Sequence, residues 1–153
     1  MRMSLQNILV GELDQAFHRK SWHGPNLIGS IRGITPEAAL RTVGRRKCIW
    51  QQLMHAAYWK HRAMTYLDIA HDFPRPAENW LTPPDKLTPK AWKADQAVLR
   101  SLHEQLRAHV AKLSHDQLTP KVIWLIQGAA AHDLYHAGQI KLLRRLLADR
   151  GRK

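Results

Sequence analysis

The residues best suited to chemistry in this chain are its ten histidines, since imidazole is the side chain most used for metal ligation and for proton transfer near neutral pH. Two of them fall in His132-Asp133-Leu134-Tyr135-His136, four residues apart, so on a helix they stack on one face. At about 100° per residue, His136 lies about 40° from His132, in the sector of Leu125, Ala129, Leu143 and Leu147, while Gln127, Lys141 and Arg145 point outward. The pair therefore faces the core. Two inward imidazoles need partners for four ring nitrogens in a poorly solvated place, and one divalent ion satisfies two of them at once. His55 is the best third donor, because it flanks the apolar stripe of an earlier helix near Gln52 and Trp59. Three neutral imidazoles leave a coordination position open for water, a thiolate or a substrate anion, whereas a closed structural site uses four protein ligands. The competing reading of an H-x3-H pair is two partly buried histidines hydrogen-bonded to neighbours; the inward phase favours the metal.

The motif is not H-E-x-x-H, because Asp133 replaces the glutamate and reaches less far. Asp133 is a candidate catalytic base, against the commoner outcomes of a carboxylate that orients a ligand or one that lies on the helix surface. His23, in the loop Trp22-His23-Gly24-Pro25, is a further candidate for a fourth ligand or for a group that supports the ligands, with a simple loop hydrogen bond as the commoner outcome. His103 and His109, six residues apart, lie on different helix faces and form no pair; His18, His61, His71 and His115 stand near helix ends or in loops, where exposure is expected. Tyr135 is about 60° off the histidine face and is expected to pack between helices. Cys48 begins a helix beside Arg46 and Lys47, a setting that lowers a thiol pKa, although burial as an inert thiol is the commoner outcome.

These residues must be positioned by helices, since apolar residues recur at three- and four-residue steps and strand-type alternation is absent. A first helix is expected from Ser4 to Arg19, with Leu5, Ile8, Leu9, Leu13, Ala16 and Phe17 inward. Thr35-Pro36 pairs an N-cap with proline at the first helical position, opening a short helix to about Thr42 that Gly44 closes. The second long helix runs from about Arg45 to Ala70, with Ile49, Leu53, Ala56, Ala57, Met64 and Leu67 on its core face. Five prolines, Pro74, Pro76, Pro83, Pro84 and Pro89, then forbid helix and make a long surface connection. The Thr-Pro signal returns at Thr88-Pro89, for a helix to about Leu113 carrying Trp92, Leu99, Leu102, Leu106 and Val110. It returns again at Thr119-Pro120, for a helix to about Asp149 before Gly151. Four long helices without strands predict an all-α four-helix bundle. A connection of about 20 residues spans roughly 60 Å when extended, and a 25-residue helix is only about 37 Å long. Helices two and three can therefore run parallel.

With 153 residues, 44% hydrophobic and 24% charged, the chain is expected to form one globular domain over residues 1–153, neither disordered nor fibrous. Its single cysteine excludes an intrachain disulfide and a Cys-based zinc or iron–sulfur site, and neither a signal peptide nor a membrane span is expected, so the reading is cytoplasmic. The net charge of +12 admits a polyanionic partner, but the excess is spread: residues 1–70 hold 10 basic against 4 acidic side chains, and residues 71–153 hold 14 against 8. The clusters Arg45-Arg46-Lys47 and Arg144, Arg145, Arg150, Arg152, Lys153 are read as solvated surface.

At the histidine motif the chain resembles the DinB/YfiT-like metalloenzymes. The resemblance rests on His132-Asp133-Leu134-Tyr135-His136-Ala137-Gly138-Gln139-Ile140 in the last helix and on Ile49-Trp50 followed by His55-Ala56 in the second. Trp22-His23-Gly24-Pro25, Asn79-Trp80 and Trp92 extend it over nearly the whole chain. It implies an up-down-down-up bundle and a nickel or zinc site at His55, His132 and His136. One departure is Arg46-Lys47-Cys48, where relatives often carry a histidine just before the Ile-Trp pair. The open site is read as that of a metal-dependent enzyme, activating water or a low-molecular-weight thiol for hydrolysis or transfer on a small molecule, and the resemblance adds thiol-dependent transferases and metal-dependent isomerases as the kinds of enzyme it implies. A homodimer is expected, with no membrane or nucleic-acid partner. The alternative is a non-enzymatic basic module, with a structural metal, binding nucleic acid or another polyanion; no stripe of Lys/Arg with a reading element supports it.

Overall fold

The Thr-Pro pairs start helices for the reason the sequence suggests: each threonine hydroxyl accepts a backbone N–H three residues on, and each proline sits where its missing N–H costs nothing. Thr35 Oγ1 accepts from Ala38 N at 3.2 Å, Thr88 Oγ1 from Ala91 N at 3.1 Å and Thr119 Oγ1 from Val122 N at 3.3 Å. The computed structural model describes residues 4–150. Met1, Arg2 and Met3, and Gly151, Arg152 and Lys153, to which the sequence assigns a helix stop and part of a basic tail, lie outside the described residues. Six helices and no strand occur among the described residues: α1 Leu5–Phe17, α2 Leu27–Ile31, α3 Pro36–Leu40, α4 Ile49–Tyr66, α5 Pro89–Val110 and α6 Pro120–Arg150. No helix there is long and apolar enough to cross a membrane.

Several boundaries differ from expectation. α1 stops at Phe17, because the N–H groups of His18 and Arg19 both turn back to Asp14 O. α3 ends at Leu40, and Gly44, with φ +58°, serves the turn that follows instead of capping the helix. α4 is shorter at both ends: Gln51 Oε1 accepts from Cys48 N at 3.1 Å where it starts, and Asp68, at φ 54°, ends it. α2 is absent from the sequence reading, since five residues carry no measurable period; its signal is Asn26, whose Oδ1 accepts from Gly29 N at 2.7 Å.

α1 packs against α5 and α6, α4 packs against α5 and α6, α2 lies on α6, and α3 lies on α4. The core they share holds Leu9, Leu13, Leu53, Leu99, Leu106 and Ile140, each 0–1% exposed, and each such side chain contributes about 1.5–3 kcal/mol on burial. The expected stripe of α5 is buried throughout. Ile8, expected inward on α1, is exposed. On α6 the buried face centres on Asp133, Ala137 and Ile140, about 100° round from His132. His136 is therefore buried, whereas His132 sits at the edge of the face and is only partly covered.

The proline-rich connection, residues 67–88, is tied down across α4 and α5. Gln51 Nε2 donates to Leu81 O at 3.1 Å, Trp50 Nε1 donates to Asp95 Oδ2 at 2.8 Å, and the Arg75 guanidinium pairs with the other oxygen of Asp95. These ties bring Asn79 and Trp80 onto the face of α4 that carries His55.

Candidate metal centre

α4 supplies His55 and α6 supplies His132 and His136; one ligand nitrogen from each ring lies within 4.8 Å of the others. His132 Nε2 and His136 Nε2 are 3.1 Å apart, close to the roughly 3.3 Å of two nitrogens sharing a tetrahedral zinc. Two of the rings are held by their other nitrogen. His55 Nδ1–H donates to Asn79 O at 2.6 Å, and His136 Nδ1–H donates to Gln52 Oε1 at 2.6 Å. Each contact fixes the tautomer with its lone pair on Nε2, the arrangement that orients metal-binding imidazoles. Trp80 stacks on the His55 ring, with centroids 3.8 Å apart and planes within 9°, and Trp59 Nε1 donates to Asn79 Oδ1 at 3.0 Å. Asn79 is thus clamped by two residues of α4.

The rings are neutral. Burial lowers His132 to about 4, aided by His55 and Lys60, and lowers His136 to about 3, aided by His132 and His55. Burial also lowers His55, although the Asn79 carbonyl opposes it. Neutral imidazoles present lone pairs without first losing protons, as metal binding requires. The donor set thus fits a borderline divalent ion. The pocket containing the triad has a volume of about 470 Å³, and Arg45, Arg46 and Lys47 stand along its wall. That cluster, read from sequence as solvated surface, borders the site.

Asp133 is not brought to this cluster. It is 1% exposed, and its Oδ2 accepts from Lys60 Nζ at 2.6 Å in an ion pair buried on both sides. Burial pushes its carboxyl pKa up, against the pull of Lys60. Tyr135, expected between helices, is exposed at the mouth of the triad pocket. His23 is exposed, with its Nδ1 3.3 Å from Ser21 Oγ, and is not in the cluster. Cys48 is buried, and desolvation raises its thiol pKa despite Lys47.

Sequence reasoning missed Lys60 and the place of His103 beside Asp14, and it named Asn79 only within the Asn79-Trp80 pair, without its bond to His55. Asp14, His18 and His103 also bring three possible ligand atoms within 4.8 Å of one another. Asp14 is already served there by Arg107 Nε at 2.7 Å and Arg19 Nε at 3.4 Å. His103 stacks on Phe17 at 3.8 Å, with neither ring nitrogen hydrogen-bonded. Two guanidiniums on the one carboxylate oppose a cation, so the triad is the better metal site.

No curated protein and no solved structure matches the chain. A family model described as the DinB superfamily matches residues 21–140, a span from α2 to the middle of α6 that holds all three histidines. With that match over most of its length, the chain belongs to the DinB superfamily.

Proposed function

We propose that this chain is a metal-dependent enzyme in which His55, His132 and His136 hold one divalent ion, nickel or zinc, and leave at least one position open. The observation that carries the reading is the convergence of three neutral imidazoles, two of them fixed through Nδ1 by oxygen acceptors. An ion bound there lowers the pKa of a coordinated water or low-molecular-weight thiol, and so supplies a nucleophile near neutral pH for hydrolysis or transfer on a small molecule. Gln52 and Asn79 hold the rings, and Trp59 and Trp80 restrict water on the His55 side. The catalytic role expected of Asp133 takes a narrower form: paired with Lys60, it positions His132 and His136 on α6.

The same reading takes α1, α4, α5 and α6 as an up-down-down-up bundle in one domain over residues 1–153. Contacts of Gln6 with Leu113 and of Asp14 with Arg107 support opposed α1 and α5. Contacts of Gln52 with His136 and of Lys60 with Asp133 support opposed α4 and α6. Trp50 meets Asp95, while Lys60 and His103 both lie on Phe17, which supports parallel α4 and α5. The connection of residues 67–88 then returns along the bundle as a long crossover.

The test is metal analysis of tag-free protein after reconstitution with zinc or nickel. About one ion per chain is expected, and His132→Ala or His136→Ala should lose stoichiometric binding, with affinity down about 100-fold or more. Full occupancy and unchanged affinity in both variants would overturn the assignment.

A further inference from the structure

A second cavity lies on the other side of His132. It has a volume of about 190 Å³ and runs between α4 and α6, with Trp59, Tyr66, Trp124, Gly128 and Ala129 on its walls beside His132 itself. Along α4 the residues pass from Tyr66 through Trp59 to His55, and along α6 from Trp124 through Gly128 to His132 and His136. The two pockets therefore adjoin at His132, which lines both, within the cleft between α4 and α6. Its two ends differ in chemistry: Arg45, Arg46 and Lys47 stand at one end, aromatic rings stand at the other, and no carboxylate lines either.

The apolar end is not an ordinary surface. Trp124 is 72% exposed, Tyr66 50% and Trp59 39%, and a contiguous group of exposed aromatics beside a cavity marks a binding surface. Gly128 stands in mid-helix, where glycine costs about 1 kcal/mol relative to alanine, and a Cβ built there meets nothing within 4 Å. The space it leaves is part of the groove. A cavity of about 150 Å³ suffices for a benzene ring, so this groove suits an aryl group or a short alkyl chain, not a protein segment.

We propose that the cleft binds an amphiphilic anion: its acidic group lies toward Arg45, Arg46 and Lys47, its reacting group lies at the histidines, and its apolar body lies in the Trp59/Tyr66/Trp124 groove. This deepens the metal-centre reading and rests on it for the position of the reacting group. Charge complementarity selects the head, since three cationic side chains face no acidic neighbour in the pocket. Continuity with the pocket through His132 selects a small substrate over a second copy of the chain.

The test is calorimetric binding of acetate, butanoate, hexanoate and octanoate, with alkylamines of equal length as controls, to zinc-loaded and metal-free protein of measured zinc content. Affinity for the carboxylates should rise about fourfold per methylene until the groove is filled, and the amines should not bind. Gly128→Leu fills the groove and Trp124→Ala removes a wall; either should flatten the chain-length dependence while leaving zinc content and acetate binding unchanged. Arg45→Gln with Arg46→Gln should weaken every carboxylate by a common factor, about tenfold at low salt. A flat chain-length series in both protein forms overturns the proposal, as does a series unaffected by Gly128→Leu and Trp124→Ala. Amines binding as tightly as the acids overturns the assignment of the head, and a dimer that Trp124→Ala dissociates, with a flat series, reassigns the groove to a second copy. Loss of zinc stoichiometry with the chain-length dependence intact removes the metal reading and leaves the groove standing.

Discussion

His136 is the most constrained of the three histidines. Gln52 Oε1 accepts from its Nδ1, and its Nε2 meets that of His132. Because the Gln52 contact sets both ring orientation and tautomer, Gln52→Ala should weaken zinc binding about 10- to 100-fold without changing its stoichiometry. A chelator competition titration measures this, and an affinity equal to the parent's would show that the amide does not orient the ring. At this scale the sequence is readable where spacing carries the information. The four-residue step between His132 and His136, and the place of His55 beside an apolar stripe, both mark residues that the fold brings together. The Asn79 carbonyl was not readable, because a backbone acceptor has no side-chain signature and it arrives on a loop from 24 residues away.

At the level of elements, α4 and α6 are joined near the triad by a buried ion pair, Lys60 with Asp133. Removing one partner leaves the other buried and uncompensated, which typically costs about 3–5 kcal/mol, whereas replacing both by apolar residues is often neutral. Lys60→Met should therefore destabilise the protein strongly, and Lys60→Met with Asp133→Leu should recover most of that loss. Urea unfolding of the two variants and the parent makes the comparison, and additive losses in the double variant would show that the pair is not coupled. The helices themselves were legible. Three Thr-Pro starts, one for short α3 and two for long α5 and α6, and the periodic leucines of α5 place these elements correctly, because caps and period are local. The inward phase of Lys60 was also written in the chain, three and four residues from Ala57, Ala56, Ala63 and Met64, but a lysine on a core face reads as surface until its carboxylate is found. Where α4 ends and where α2 lies depend on a turn at Asp68 and a cap at Asn26, too short to leave a period.

For the molecule as a whole, burying several neutral imidazoles makes stability depend on pH. Burial holds His103 at about 2, with the charges of Lys60, His18 and Arg107 adding to it, while the nearby Asp14 carboxylate, 3.6 Å away, is already paired with Arg107. Below about 6.5 the unfolded chain takes up a proton at this position that the folded chain refuses, so stability is lost as pH falls. The slope is about 1.4 kcal/mol per pH unit for each such group once the unfolded histidine is protonated. Metal-free protein should thus lose stability between pH 6.5 and pH 4.5, and His103→Leu should lose less over that range. Thermal unfolding across the range measures both, and equal slopes in variant and parent would contradict it. Charge was legible in amount but not in place: the even spread of +12 along the chain hides that Arg45, Arg46 and Lys47 converge in space on the triad pocket.

The central claim, one divalent ion on His55, His132 and His136 with a position left open, is tested most directly by a cobalt titration of tag-free protein followed by its optical spectrum, before and after adding a thiol. A three-histidine open site requires saturation at about one cobalt per chain and a new sulfur-to-cobalt charge-transfer band when the thiol is added. His55→Ala should alter the spectrum without unfolding the protein. Saturation at one cobalt with a spectrum indifferent to thiol, and unchanged by His55→Ala, would contradict the claim and mean that the ion is held in a closed site by other residues.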